Sequence, residues 1–280
     1  MNEVLSANWN LDIPLCLQLV AVLAGYVYAI GPFRFDQKIK EAASATQISA
    51  FVAGITIFAV AVMSPIDSIG EKYFFWMHMV QHLILVFLVP ALLIVGTPGW
   101  IIDWAMRLPG IKSVLRYVLV PLTTFLISQL VLVVWHVPVL YQAALRNSVV
   151  HDVEHLMFIA AGILIWWPVL SRSKLLPRAA DHVLLIYLFL LPVPTSILGA
   201  MIAFSEDVLY PLYAIAPRYW DIAARSDQEL AGLLMWVPGK LVFWLAIGIV
   251  FFRWFRKEKT LVASDWISHR AINRSPPNRD

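Results

Sequence analysis

The stretch YFFWMHMVQHLILVFLVPALLIV, Tyr73 to Val95, runs 23 residues without an Asp, Glu, Lys or Arg. At about 1.5 Å per residue, a helix of that length spans the roughly 30 Å hydrocarbon core of a bilayer. A helix also satisfies its own backbone groups where no water is present, so the stretch reads as a transmembrane helix. Six more apolar stretches follow the same pattern, at 13–31, 47–64, 115–137, 152–170, 182–204 and 230–252. The expected fold is therefore all-α: a polytopic membrane protein, built as a seven-transmembrane-helix bundle over residues 1–256.

Composition agrees. Only 14% of the 280 residues are charged and 60% are hydrophobic, against about 25% charged in soluble domains. The net charge of +3 sits in loops and tail, where it meets anionic lipid, so nucleic acid is not an expected partner. Residues 257–280 are polar and basic with Pro276-Pro277, and read as a disordered cytoplasmic tail. The single Cys16 excludes an internal disulfide or a CxxC metal site. The N-terminal segment, charged only at Glu3 and Asp12, reads as an uncleaved first helix instead of a signal peptide.

Basic residues set the expected orientation. Alternate loops and the tail carry 16 of them, including Arg34, Lys38, Lys40, Arg107, Arg172 and Arg253. The opposite loops hold four: Lys72, Arg146, Arg218 and Arg225. The expectation is N-terminus outside and C-terminus in the cytoplasm, in a bacterial inner membrane.

With that topology, five of the seven histidines share one layer near the outer face: His78, His82, His136, His151 and His155. His182 falls near the inner face and His269 in the tail. His78 and His82, like His151 and His155, are spaced i, i+4, so each pair stacks on one helical face. Two imidazoles on one face, with a partner from a neighbouring helix, are what a metal held between helices needs. Met63, Met77, Met79, Met201 and Met235 fall in the same layer, and imidazole with thioether favours copper. A lone buried histidine such as His136 is more often a hydrogen-bonded interior residue, and membrane methionines are usually packing.

His151-Asp152-Val153-Glu154-His155 also fits H-x-x-E-H, the inverted zinc-protease pattern, with Glu154 as base. A membrane metallohydrolase is thus one alternative, and a haem-binding or transport protein is another. Elsewhere, Pro192 and Pro194 should kink the sixth span. Lys240 stands alone deep in the last one. Loop 205–229, with Tyr210, Tyr213, Tyr219 and Trp220, reads as a membrane anchor or a docking surface.

Several blocks then resemble a known family. Met77-His78-Met79-Val80-Gln81-His82-Leu83 with Pro90 and Gly96-Thr97-Pro98 is similar to the signature of the CtaG family of cytochrome c oxidase assembly factors. This is the multi-span form, distinct from the single-span copper chaperone of the same name. The likeness continues through Trp135-His136-Val137-Pro138 with Tyr141, His151-x-x-Glu154-His155, Trp166-Trp167-Pro168 and Leu209-Tyr210-Pro211. It ends in Asp227-Gln228-x-x-Ala231-Gly232-x-x-Met235-Trp236, so that the blocks cover roughly residues 60 to 240. The resemblance implies a membrane assembly factor, not an enzyme, that helps supply copper to the catalytic subunit of a haem–copper oxidase. A soluble copper donor on the outer side and membrane lipid are the other implied partners. It implies His78, His82, His136, His151 and His155 as metal ligands. Candidates for further ligands or their supports are Met77, Met79, Glu154, Met201, Asp227, Gln228 and Met235.

Overall fold

The computed structural model describes residues 9–272, with side chains through Lys259. All regular structure among these residues is helical. Six helices are long and apolar enough to cross a membrane, and a bent pair supplies a seventh. The protein is a multi-pass membrane protein. Large apolar side chains such as Leu17, Leu126, Ile186 and Leu245 are exposed and form the lipid-facing surface.

The spans are α1 (Ile13–Asp36), α2 (Ala45–Met63), α4 (Phe75–Gly96), α7 (Pro121–Trp135), α9 (Ser148–Leu170), α10 (Asp181–Ala203) and α12 (Ala224–Ile272). Between them lie the short helices α3 (Pro65–Lys72), α5 (Gly99–Ala105), α6 (Ile111–Val118), α8 (Pro138–Arg146) and α11 (Pro211–Ile215). Local chemistry starts several of them. Ser44 and Gln47 close a reciprocal capping box on α2, at 3.2 and 2.8 Å. Asn147 accepts from Val149 and Val150 at 3.0 and 3.2 Å and begins α9. That start lies one turn before His151, earlier than the expected residue 152.

One expectation needs correction. The fourth span is not continuous over 115–137: α6 and α7 meet at 79°. Pro121 disfavours a helical conformation at the residue before it, and Val120 is extended at φ −71°, ψ 139°. The basic, amphipathic α6 therefore separates from the span. At the C-terminal end α12 runs to Ile272, and residues 273–280 of the tail lie outside the described residues. In the sixth span the ladder is interrupted at Leu191-Pro192, yet Leu191 keeps helical angles (φ −52°, ψ −45°). The kink there leaves α10 a single span.

Inside a bilayer, lipid tails are as apolar as leucine, so helices associate through close packing and small residues. Two crossings depend on this. At Gly162 of α9, an added Cβ would lie 2.3 Å from the Val86 carbonyl oxygen of α4. At Gly232 of α12, it would meet the Gly199 oxygen and Ala203 nitrogen of α10 at 2.6 Å. The α4–α9 crossing falls beside a π-helical segment, Ile84–Leu88, just before Pro90, which has no N–H to offer Val86.

Replacing Gly162 by Ala should therefore push α4 and α9 apart and cost about 1–3 kcal/mol. Thermal unfolding in detergent checks this, with Gly248→Ala as the control, since nothing lies within 4 Å of a Cβ there. The control should be neutral or slightly stabilising, and the Gly162 variant clearly less stable.

Candidate metal centre

The close α4–α9 crossing places the two histidine pairs opposite each other. His78 and His82 on α4 have ring centroids 4.2 Å apart, and His151 and His155 on α9 are 4.0 Å apart. Across the gap, His78 lies 5.4 Å from His151 and 6.3 Å from His155, and His82 lies 5.7 Å from His155. His136, capping the end of α7, sits 6.1 Å from His82. All five are buried, as is Glu154. Ligand atoms of His78, His151 and His155 lie within 4.8 Å of one another, and so do those of His78, His82 and Glu154.

Hydrogen bonds orient these rings. Tyr213 donates its hydroxyl proton to the Gly70 carbonyl at 2.9 Å. Its oxygen is then left to accept, so the 3.0 Å contact with His78 Nδ1 is an Nδ1–H donation. Burial raises the Tyr213 and Tyr141 phenols well above their ordinary value, which keeps Tyr213 a neutral donor. His136 Nδ1 faces the Leu132 carbonyl at 2.6 Å, and His151 Nδ1 faces the Glu71 carboxylate at 2.8 Å. A carbonyl or carboxylate only accepts, so in all three rings Nδ1 carries a proton, and in the neutral imidazole the Nε2 lone pair is free. Those three Nε2 atoms, with His155 Nε2, both nitrogens of His82 and both oxygens of Glu154, are buried without a hydrogen-bond partner. Held Nδ1–H donors beside free Nε2 acceptors are the arrangement that metal-binding imidazoles adopt.

The space is small. A cavity of about 40 Å³ is lined by His82, His136, Met79 and Met235 among others, whereas one water occupies about 30 Å³. It fits an ion, and neither a peptide nor a porphyrin enters it.

The chain matches the family model for the cytochrome c oxidase caa3 assembly factor over residues 24–257. The chain belongs to that family. Comparison with the curated proteins finds no match, and comparison with the solved structures finds none either. The matched segment contains every histidine of the cluster, so the assembly factor's family-defining region and its buried imidazoles coincide.

The remaining sequence candidates separate. Met79 is buried and Met235 half-buried beside the small cavity. Met63 packs into the apolar cluster around Leu85, and Met77 packs beside Ile69 and Phe74. Met201 is 66% exposed and faces away from the cluster. Asp227 accepts from the Phe75 and Trp76 backbone N–H groups at 3.0 and 2.9 Å and pairs with Arg218. It thus caps α4 from another span and sets the depth of His78. Gln228 accepts from Leu209 N and donates to Ile202 and Asp207 carbonyls, tying the long loop to α10 and α12. His182 is exposed.

Four participants were missed in the sequence. Glu71 and Asp67 lie on α3, where their i, i+4 spacing matches that of the histidine pairs and was the available signal. Gln81 donates to Asp67 at 2.6 Å and to the Ala61 carbonyl at 3.0 Å, fixing α4 against α2 and α3. Burial, with the Glu71 charge second, raises the Asp67 carboxyl to about 6. Tyr213, read as an anchor or docking residue, is buried and touches His78. Of Tyr210, Tyr213, Tyr219 and Trp220, only Trp220 is surface-exposed, stacked on Phe74.

Proposed function

We propose that this assembly factor binds copper through His78, His82, His151 and His155, with His136 as fifth member, and supports its insertion into the catalytic subunit of the oxidase. The observation that carries the reading is the convergence of free Nε2 lone pairs in one buried space. Imidazole donors with Met79 and Met235 alongside suit copper over magnesium or calcium. Glu154 offers a carboxylate to the same group. Copper here is cargo, received from a soluble donor on the outer side and passed on.

The metallohydrolase alternative needs a substrate to reach Glu154, which has no exposed surface. The haem alternative needs a porphyrin-sized space between the histidine rings, and the cavity at His82 and His136 is about 40 Å³. Both readings are therefore the poorer fit.

Orientation is part of the proposal. The 16-to-four division of basic residues supports an orientation with the N-terminus and the histidine layer outside a bacterial inner membrane and α12's end in the cytoplasm. Reporter fusions in loop 205–229 and after Lys257 should report opposite sides, with the loop outward. An inward loop would put the site on the wrong face for the donor.

For the site itself, His→Ala at positions 78, 82, 151 and 155 should leave membrane levels normal while most bound copper is lost. The oxidase matured beside them should lack copper at its catalytic centre. His182→Ala should keep both. Metal analysis and oxidase activity at matched expression decide, and full copper in the four variants would make the histidines structural.

A further inference from the structure

The geometry points to a vestibule between α1, α2 and α9 as the passage through which a copper cation reaches the buried imidazoles. This rests on the copper reading above. A cavity of about 330 Å³ opens there, lined by Asp12 just before α1, by Leu15 and Gln18 on it and by Val149, Asp152 and His155 of α9, with α2 closing the third side. It is roughly ten times the volume of a water, so a hydrated or loosely ligated cation fits. Asp12 and Asp152 are exposed and supply two carboxylates, and no lysine or arginine lines the space.

His155 is the link inward. It borders the vestibule, yet it is 94% buried by its 6% exposure, and its Nε2 has no hydrogen-bond partner. From its ring the next imidazoles are 4.0 Å away at His151 and 5.7 Å at His82. A cation arriving at His155 is therefore one ring from His151, His78 and His82. The vestibule also accounts for α1, which buries little surface against the bundle. Asn10 N donates to the Met63 carbonyl at 2.8 Å, which holds the start of α1 over the end of α2. Asp12, Leu15 and Gln18 precede the family match, which begins at residue 24, so this wall is a feature of the chain beyond the matched segment.

Carboxylates around a low-dielectric mouth raise the local cation concentration and the on-rate without adding final affinity. The test uses full-length protein in nanodiscs and Cu(I) presented on a chromogenic chelator, with both the rate and the final stoichiometry of transfer measured. Asp12→Asn with Asp152→Asn should slow loading about tenfold at low ionic strength, and the gap from wild type should narrow in high salt. Asp12 makes no side-chain cap bond to α1, so its replacement does not disturb that helix. Val149→Trp, filling the mouth from an exposed position, should slow loading at every salt concentration. Final copper per protein should equal wild type in both. Loading at the wild-type rate in both variants overturns the vestibule and leaves the imidazole site standing. Loss of final copper in the Asn variant also overturns it, because the carboxylates would then be ligands. A wild-type protein that takes up no copper at all sinks the copper reading and the vestibule together.

Discussion

Ring nitrogens with lone pairs and no donor, gathered inside a membrane bundle, are the constraint around which this protein is arranged. A buried polar group left unpaired costs about 1–3 kcal/mol, and here such atoms come from five histidines and Glu154 in one space. Scattered through a core they would be defects. Gathered into two overlapping groups, His78 with His151 and His155 and His78 with His82 and Glu154, each within 4.8 Å, they are what a bound cation can satisfy.

Holding them there takes contributions from almost every span. Gly162 lets α9 approach the α4 backbone, which sets the distance between the two histidine pairs. Asp227 caps α4 from α12, and Gln81 ties α4 to the ends of α2 and α3. Tyr213 comes from the loop after α10 and reaches both His78 and the Gly70 carbonyl. Each anchor uses a group that would otherwise be an unpaired donor or acceptor in an apolar setting. The orientation of the imidazoles and the stability of the bundle are thus served by the same bonds.

Much of this is legible in the amino-acid sequence. Hydropathy located the spans because a bilayer leaves helices few alternatives. The i, i+4 spacing of His78 with His82 and of His151 with His155 put each pair on one face. The break before Pro121 was signalled locally, but an apolar run on both sides of it concealed the turn. Asp67 and Glu71 had the right spacing and were passed over because they lie in a short interspan segment. Tyr213 and Asp227 act through contacts 135 and 152 residues away in sequence, and nothing in their local pattern distinguishes an interfacial aromatic from a buried support. Met201 had the depth but not the facing, which depends on how α10 rotates against α12.

The central claim is that imidazole nitrogens from α4 and α9 hold copper in this assembly factor. X-ray absorption at the copper edge of the purified, copper-loaded protein tests it most directly. The account predicts a nitrogen-dominated shell with the outer-shell scattering of several imidazole rings, and at most a minor sulfur contribution. A shell of sulfur, or of oxygen without imidazole scattering, would contradict it.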